Sequence, residues 1–454
     1  MMKFILCILA LIPLVVVGQD CSDAATVVRN LVFDAGSTST KAYLVTVEGP
    51  ASNMKLKAFV KFNKIDLALS SISGASQFPQ LRSTFQNAIS QALSDTTNIP
   101  ITCRKETGIV LLATAGLRAI SAALSNLILQ EVTRIFLLSE LKPISPIAEI
   151  LSGFDEGLYY WLSVNFLGKT FETGDPTKTE GILEMGGGSV QVVAALPANK
   201  AAELEKVTGQ SAPLLSILGK PYYVYSYSYL NGGIQAARFN FFFQNNEGFC
   251  IKDGASVNYN FNGVNRVFTG VSIFNGARYE ACRNLGLQVV NSINVKSFNA
   301  LLDGIPFIGG SLFYYNAHAL HSLANNCDLG GATLPCDLFV HPMTLFSIKS
   351  SARKYCQNAD LPENNPLPPN VVYLCQDLVY IEALLEDGWK FTNPRFNYTT
   401  RLTIDGHELS WVLGRGLQFG FDRLNSSATR CFNPVFAILS LAMVNMFRSH
   451  QISK

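Results

Sequence analysis

A mixed α/β fold in two lobes is predicted by three features of the 454-residue sequence. The chain is too long for one compact core. Strand and helix signals alternate through its first half. Two glycine-rich turns of one plan recur between two separate pairs of apolar strands. Hydrophobic residues make up 48% and charged residues 15%, well under the roughly 25% charge usual in soluble domains. That balance supplies a large core and excludes wholesale disorder. A net charge of +2 with no basic block excludes a nucleic-acid binder that works by bulk charge.

In chain order, Met1-Met2-Lys3, the apolar run Phe4 to Val17 and the small residue Gly18 read as a secretory signal over residues 1–19. The run is shorter than the roughly 20 residues that span a bilayer. The first lobe is expected over 27–175. Leu31 to Phe33 and Ala42 to Val45 form strands there, Gly108 to Leu112 another, and Leu117 to Leu138 a helix. The polar stretch Thr170 to Glu180 marks the crossing to a second lobe over 180–410. The four prolines between Pro362 and Pro369 make a rigid surface loop. The segment 411–447 is expected to return to the first lobe. Its apolar part, Val435 to Phe447, reads as a closing helix, with a membrane anchor as the alternative; association with a membrane would run through 435–447.

Ten cysteines fit an oxidising compartment. Cys7 lies in the signal, and six cluster at short spacings that read as local bridges: 250/282, 327/336 and 356/375. Cys21, Cys103 and Cys431 are left over, an odd number. No Cys-x-x-Cys pairing suggests zinc. Sequons at Asn397 and Asn425 agree with a secretory route.

The chemistry concentrates in four places. Asp34-Ala35-Gly36-Ser37-Thr38-Ser39-Thr40 and Glu184-Met185-Gly186-Gly187-Gly188-Ser189-Val190-Gln191 each put an acidic residue at a strand end, then glycines, then hydroxyls. Glycines let backbone N–H groups approach an anion and hydroxyls add donors, while the carboxylate can hold a divalent cation through its waters. Either turn alone reads as an ordinary glycine hairpin; the matched pair reads as a nucleotide clamp. The third place, Thr114 to Arg118, sits at a strand-to-helix junction where a helix start and an arginine suit phosphate. In the fourth, apolar residues 147, 151, 154, 158 and 161 form a helical stripe. Glu156 points off that stripe, placed to act as a general base, and Gly153 and Gly157 threaten the helix.

In this order, and with Ser226-Tyr227-Ser228-Tyr229-Leu230-Asn231-Gly232-Gly233 and Trp411-Val412-Leu413-Gly414, these segments resemble the nucleoside triphosphate diphosphohydrolase (apyrase) family. That family belongs to the actin-like and sugar-kinase-like ATPase superfamily. The resemblance spans Asp34 to Gly414. It implies two actin-like (ribonuclease H-like) lobes with the active site in the cleft between them. It also implies metal-dependent hydrolysis of nucleoside tri- or diphosphates by direct attack of water. Glu156 would then be the general base, with Ser189 and Gln191 positioning the water. Asp34 and Glu184 would hold Ca²⁺ or Mg²⁺ through water. Gly36, Ser37, Thr38, Thr114, Arg118, Gly186, Gly187 and Gly188 would line the phosphates. Two residues depart from the family pattern: Glu184 stands where it has aspartate, and Val190 where it usually has threonine. The competing readings are a nucleotide-binding protein with little turnover, a diphosphatase of the secretory pathway, and a sugar kinase or exopolyphosphatase.

Overall fold

The computed structural model describes residues 21–62, 64–245, 248–261, 264–271, 277–298, 301–324, 340–357, 369–391 and 396–430. The expected signal, the 327/336 bridge, Cys431, the proline loop before Pro369 and the apolar stretch 435–447 lie outside the described residues. Among those described, no helix is long and apolar enough to cross a membrane.

The first sheet is built from β1 (Val27–Ala35), β2 (Thr40–Glu48), β3 (Lys55–Lys61), β4 (Gly108–Ala113) and β5 (Lys142–Ile150), in the order β3-β2-β1-β4-β5. Neighbours among β3, β2 and β1 run antiparallel, whereas β4 and β5 continue parallel to β1. Helices α1 (Phe78–Ser94), α2 (Ala115–Arg118), α3 (Ala122–Leu137) and α4 (Gly153–Leu167) accompany it. The second sheet takes β6 (Gly181–Met185), β7 (Ser189–Leu196), β8 (Leu214–Ile217) and β9 (Lys220–Leu230). A separate hairpin, β10 (Ser256–Phe261) and β11 (Val264–Thr269), precedes its remaining strands β12 (Phe307–Ser311), β13 (Val340–Thr344) and β14 (Asn397–Arg401). The order is β13-β14-β12-β6-β7-β9-β8. Within it, β9-β7-β6-β12-β14 repeats the order and the strand senses of the first sheet.

Around the second sheet lie α5 (Ala198–Thr208), α6 (Ile234–Asn245), α7 (Ala277–Ser292), α8 (Leu312–Ala324), α9 (Leu345–Cys356), α10 (Pro369–Val372) and α11 (Leu374–Ala383). The last described helix, α12 (Trp411–Arg430), returns to pack on β1, β2 and α4.

Strand alternation sorts the side chains into layers. Leu31, Phe33 and Ala35 join Leu81, Phe85, Val132 and Phe136 of α1 and α3 on the outer face of the first sheet. Val32, Ile182, Val193 and Ile308 face the other way, into a core shared by both sheets and filled by Trp161 and Leu162 of α4 and by Trp411, Leu413 and Leu417 of α12. Since Asp34 follows Val32 by two residues and Glu184 follows Ile182 by two, both carboxylates emerge on the faces that look at each other. That placement follows from the period of a strand alone.

Three expectations need correction. The helix expected over 117–138 is two, because the chain breaks at Ala119–Ser121. Ser121 then caps α3 by accepting the Leu124 N–H, and Ser125 donates to the Leu117 carbonyl at 3.0 Å. The stripe drawn from residue 147 crosses a boundary: Ile147 belongs to β5, and α4 starts only after its cap Ser152, which accepts the Asp155 N–H at 3.0 Å. Gly153 and Gly157 do not break α4. They let it settle on the second sheet, where a Cβ at 153 would stand 2.4 Å from Ser228 Cβ and one at 157 would stand 2.9 Å from Val193 Cγ2. Of the bridges, Cys250–Cys282 and Cys356–Cys375 are present, and two of the three left-over cysteines pair as Cys21–Cys103.

His341 on β13 is buried beside His318 and His321 of α8. Burial, reinforced by those two imidazoles, pushes it down to about 4. An unfolded chain would protonate it near pH 6.5. Between these values the unfolded state holds the extra proton, so the stability tied to neutral His341 is whole above pH 6.5 and lost as pH falls towards 4. His341→Gln should therefore flatten the decline in thermal midpoint between pH 6.5 and 4, as read by calorimetry across that range.

Candidate active site between the two sheets

The two predicted turns are equivalent in construction. Asp34 pairs with Lys41 across β1 and β2, and the Gly36 N–H donates to Ser39 O at 2.9 Å. Glu184 pairs with Gln191 across β6 and β7, and the Gly186 N–H donates to Ser189 O at 3.0 Å. Each turn joins the first two strands of its repeat, so they occupy the same place in the two sheets and face each other. The approach is close: a Cβ on Gly187 would lie 2.7 Å from Ser37 Oγ, and one on Gly188 would lie 2.9 Å from Ala115 Cβ. Thr114 is tied to the first turn by its N–H, which donates to Ala35 O at 3.0 Å.

The tyrosine- and glycine-rich fifth segment proves to be the scaffold of the second turn. The carbonyls of Gly186, Gly187 and Gly188 accept N–H groups from Ile234, from Gln235 and Ala236, and from Asn231. With its carbonyls engaged on that side and the Gly186 N–H closing the turn, the N–H groups of Gly187 and Gly188 are left for the cleft. Gly233 sits where a Cβ would be 2.5 Å from Gly187 C, Gly188 N and Ser189 N, so no larger residue fits without displacing the turn.

Between the turns lies a cavity of about 240 Å³. It is lined by Asp34, Gly36, Ser37, Thr38, Thr114, Glu156, Glu184, Gly186, Gly187, Gly188 and Ser189. The other two predicted residues stand behind that lining. Arg118 pairs with Glu156 through Nη2, which also reaches Ser189 Oγ at 3.4 Å. Gln191 Nε2 donates to Glu156 Oε2 at 3.0 Å, Ser189 Oγ at 2.9 Å and Ser228 Oγ at 3.1 Å. Its Oε1 is buried with no partner among the described residues. The thirteen residues singled out from the sequence thus converge on one cleft. Sequence reasoning missed Ser228, Tyr160 and Ser311. The Ser/Tyr alternation of β9 is a usable signal for Ser228, but nothing local marks the other two.

Three carboxylates share this space. Burial pushes Asp34 up to about 7, against Lys41 and with help from Glu156. Glu184 is raised by burial and then by Glu156 and Asp34, with Ser311 opposing. Glu156 is raised by burial, against its Arg118 partner. Such a cluster, opposed by Lys41, Lys61 and Arg118, is a donor set that suits a hydrated divalent cation.

A doubly repeated α/β fold with paired phosphate-type turns facing across a carboxylate-lined cleft defines a phosphoryl-transfer enzyme of the actin-like class. The sequence pattern of the GDA1/CD39 (nucleoside phosphatase) family matches residues 26–428, and the chain belongs to that family. It is a hydrolase acting on nucleoside phosphates. It is 27% identical over 415 residues to apyrase 1 of Arabidopsis thaliana, covering 86% of this chain and 84% of that one. Nucleoside diphosphate phosphatase ENTPD5 of Homo sapiens is 26% identical over 405 residues, 86% of this chain and 87% of its own. Among solved structures, a nucleoside triphosphate hydrolase of Neospora caninum superposes with a TM-score of 0.57 at 14% identity, over 88% of this chain and 95% of that one.

Gly233→Ala should cost about 100-fold or more in kcat/KM, since a shift of an ångström in a positioning turn has that effect. Steady-state phosphate release, beside an unchanged far-ultraviolet circular dichroism spectrum, checks it.

Proposed function

We propose that the chain hydrolyses nucleoside tri- or diphosphates at their terminal phosphate by direct attack of water, with Glu156 as the general base. The observation that carries this reading is the hydrogen-bond arrangement around Glu156. Its Oε2 is already engaged by Arg118 and Gln191, while Oε1 has no donor among the described residues and is the atom left to take a proton from water. Ser189 Oγ accepts from Gln191 and Arg118, so its own O–H remains to be donated into the cleft that it lines. The unpartnered Gln191 Oε1 is an acceptor suited to a water O–H. Ser189 and Gln191 thereby orient the attacking water.

The N–H groups of Ser37, Thr38, Gly187 and Gly188 and the hydroxyls of Ser37, Thr38 and Thr114 receive the phosphates, while Gly36 and Gly186, whose own N–H groups close the two turns, give the phosphates room. Arg118, held on Glu156, is within a side-chain rotation of an entering phosphate oxygen; moving there would free the base as substrate arrives. Asp34 and Glu184 would hold Ca²⁺ or Mg²⁺, which when bound neutralises charge developing on the phosphate. Among the described residues Asp34, Glu156 and Glu184 do not draw together as one three-carboxylate ligand set, which favours contact through water. The relatives' names include an apyrase, a nucleoside-triphosphatase and a nucleoside diphosphate phosphatase. Both chain lengths of phosphate are therefore proper test substrates. The disulfides and the exposed sequon asparagines, Asn397 and Asn425, support folding in the secretory pathway, with glycosylation, and release or display outside the cell.

Phosphate release from ATP, ADP, UDP and GDP with Ca²⁺, Mg²⁺ or chelator, beside Glu156→Gln, tests the proposal. Metal-dependent release that falls by about 10²- to 10⁴-fold in Glu156→Gln is expected. Nucleotide binding without turnover in the parent chain would replace it with the binding-protein reading.

A further inference from the structure

We propose that Ser311 and Tyr160 form a pair of hydroxyls that positions Glu184, so that this long carboxylate side chain can hold a metal's water shell. The inference rests on the reading of Glu184 as the outer anchor of a divalent cation.

Ser311 ends β12, the parallel neighbour of β6, and Gly310 is the register partner of Glu184. The Ser311 hydroxyl donates to Glu184 Oε1 at 2.8 Å. Ser311 also holds φ at +53°, a left-handed conformation that a residue with a Cβ adopts only at an energetic cost. That turn leads from β12 directly into α8 and throws the side chain sideways onto Glu184. With Oε1 fixed, Oε2 is the carboxylate atom that remains for a metal-bound water. Glutamate has one methylene more than aspartate and one more torsion to restrain, and the Ser311 bond supplies the restraint. No such bond reaches Asp34 among the described residues.

Tyr160 supplies the second hydroxyl. It is 2% exposed and lines the cleft, and its nearest hydroxyl partner is Ser311, with no bond of full geometry to its oxygen among the described residues. A buried phenol left in that state carries a desolvation cost that is not fully compensated. It is lodged against the residue paired with Glu184: a Cβ on Gly310 would stand 1.8 Å from the Tyr160 hydroxyl oxygen. Only glycine at 310 leaves this oxygen its place. The phenol lies within the electrostatic field of Glu184, and Ser311 is its hydroxyl neighbour. A second hydroxyl beside Ser311 in this corner serves the carboxylate or the water that would bridge it to a cation. Ser311 and Tyr160 are positioning residues, since both act through Glu184.

The test uses the full chain and Mn²⁺ alone, its binding read from the free-ion signal in electron paramagnetic resonance, with the metal dependence of ATP hydrolysis in parallel. Ser311→Gly removes the hydroxyl while relieving the left-handed backbone, so it does not threaten folding; Tyr160→Phe removes only an oxygen. Ser311→Gly is expected to weaken Mn²⁺ binding about 10- to 100-fold and raise the metal needed for half-maximal hydrolysis. The KM for ATP at saturating metal should stay near that of the parent. Tyr160→Phe should move the same quantities in the same direction by less. In a Glu184→Asp background, Ser311→Gly should lose most of its effect, because the shorter carboxylate needs no sideways restraint. Unchanged Mn²⁺ affinity in Ser311→Gly, or an equal loss in the Glu184→Asp background, would overturn the proposal. If Glu184→Gln weakens Mn²⁺ binding while Ser311→Gly does not, the hydroxyl pair alone fails. If Glu184→Gln also leaves it unchanged, the metal reading of Glu184 falls, and the proposal with it.

Discussion

The burial of Asp34, Glu156 and Glu184 together in one cleft is the constraint against which this molecule is built. Each carboxyl is raised by burial, and the positive groups facing them are few. Left to themselves, such groups separate or take up protons. Here separation is blocked by three different anchors. Asp34 is fixed by the hairpin of β1 and β2, Glu184 by the equivalent hairpin of β6 and β7, and Glu156 by the first turn of a helix wedged between the sheets. The arrangement stores an unmet demand for positive charge at a point where, on the proposed reading, both turns would also offer donors to an anion. A cation with a polyphosphate answers both demands together.

Repeating one topology brings two like turns to that point without special loops. The first hairpin of each five-strand unit leaves its acidic residue on the inner face, because alternation puts Asp34 in phase with Val32 and Glu184 in phase with Ile182. The shared core of α4 and α12 then sets the distance between the faces. Its closeness is bought with glycine: a Cβ on Gly414 would stand 1.9 Å from Tyr159 O, so α12 crosses α4 nearly backbone to backbone. The closing Trp-x-Leu-Gly segment is therefore a packing device for the helix that carries Glu156, and it reaches the chemistry through that helix.

Much of this was legible in the sequence because it rests on local rules. The two turns were readable from composition and spacing, and the lobe architecture from the alternation of elements together with the family likeness. Glu156 was singled out by its phase against an apolar stripe, although that stripe ran across the β5–α4 boundary. What stayed hidden is non-local. Ser311 lies 127 residues from Glu184, and its left-handed turn leaves no mark on a single serine. Tyr160 reads as one more apolar residue of a buried helix until Gly310 is seen beneath its hydroxyl. The break at Ala119–Ser121 escaped because alanine and leucine on both sides favour helix; Ser121 gave the only warning. The Cys21–Cys103 pair could not be chosen from three left-over cysteines without the fold.

The tightness of the cleft also decides how ligands enter. Ser37 stands against Gly187 and Gly188 at distances that leave no room for another side-chain atom, so the turns already nearly touch. A polyphosphate cannot slide between them from the Ser37 side. The cavity instead continues past Lys41 and Tyr315 to Arg401, Glu408 and Ser410, residues from three separate parts of the chain. A nucleotide entering from that side, as the proposed reading requires, would carry its terminal phosphate innermost, towards Glu156. On the proposed reading, a buried base paired with Arg118 would meet only the innermost phosphate and so would select the end of the chain for cleavage.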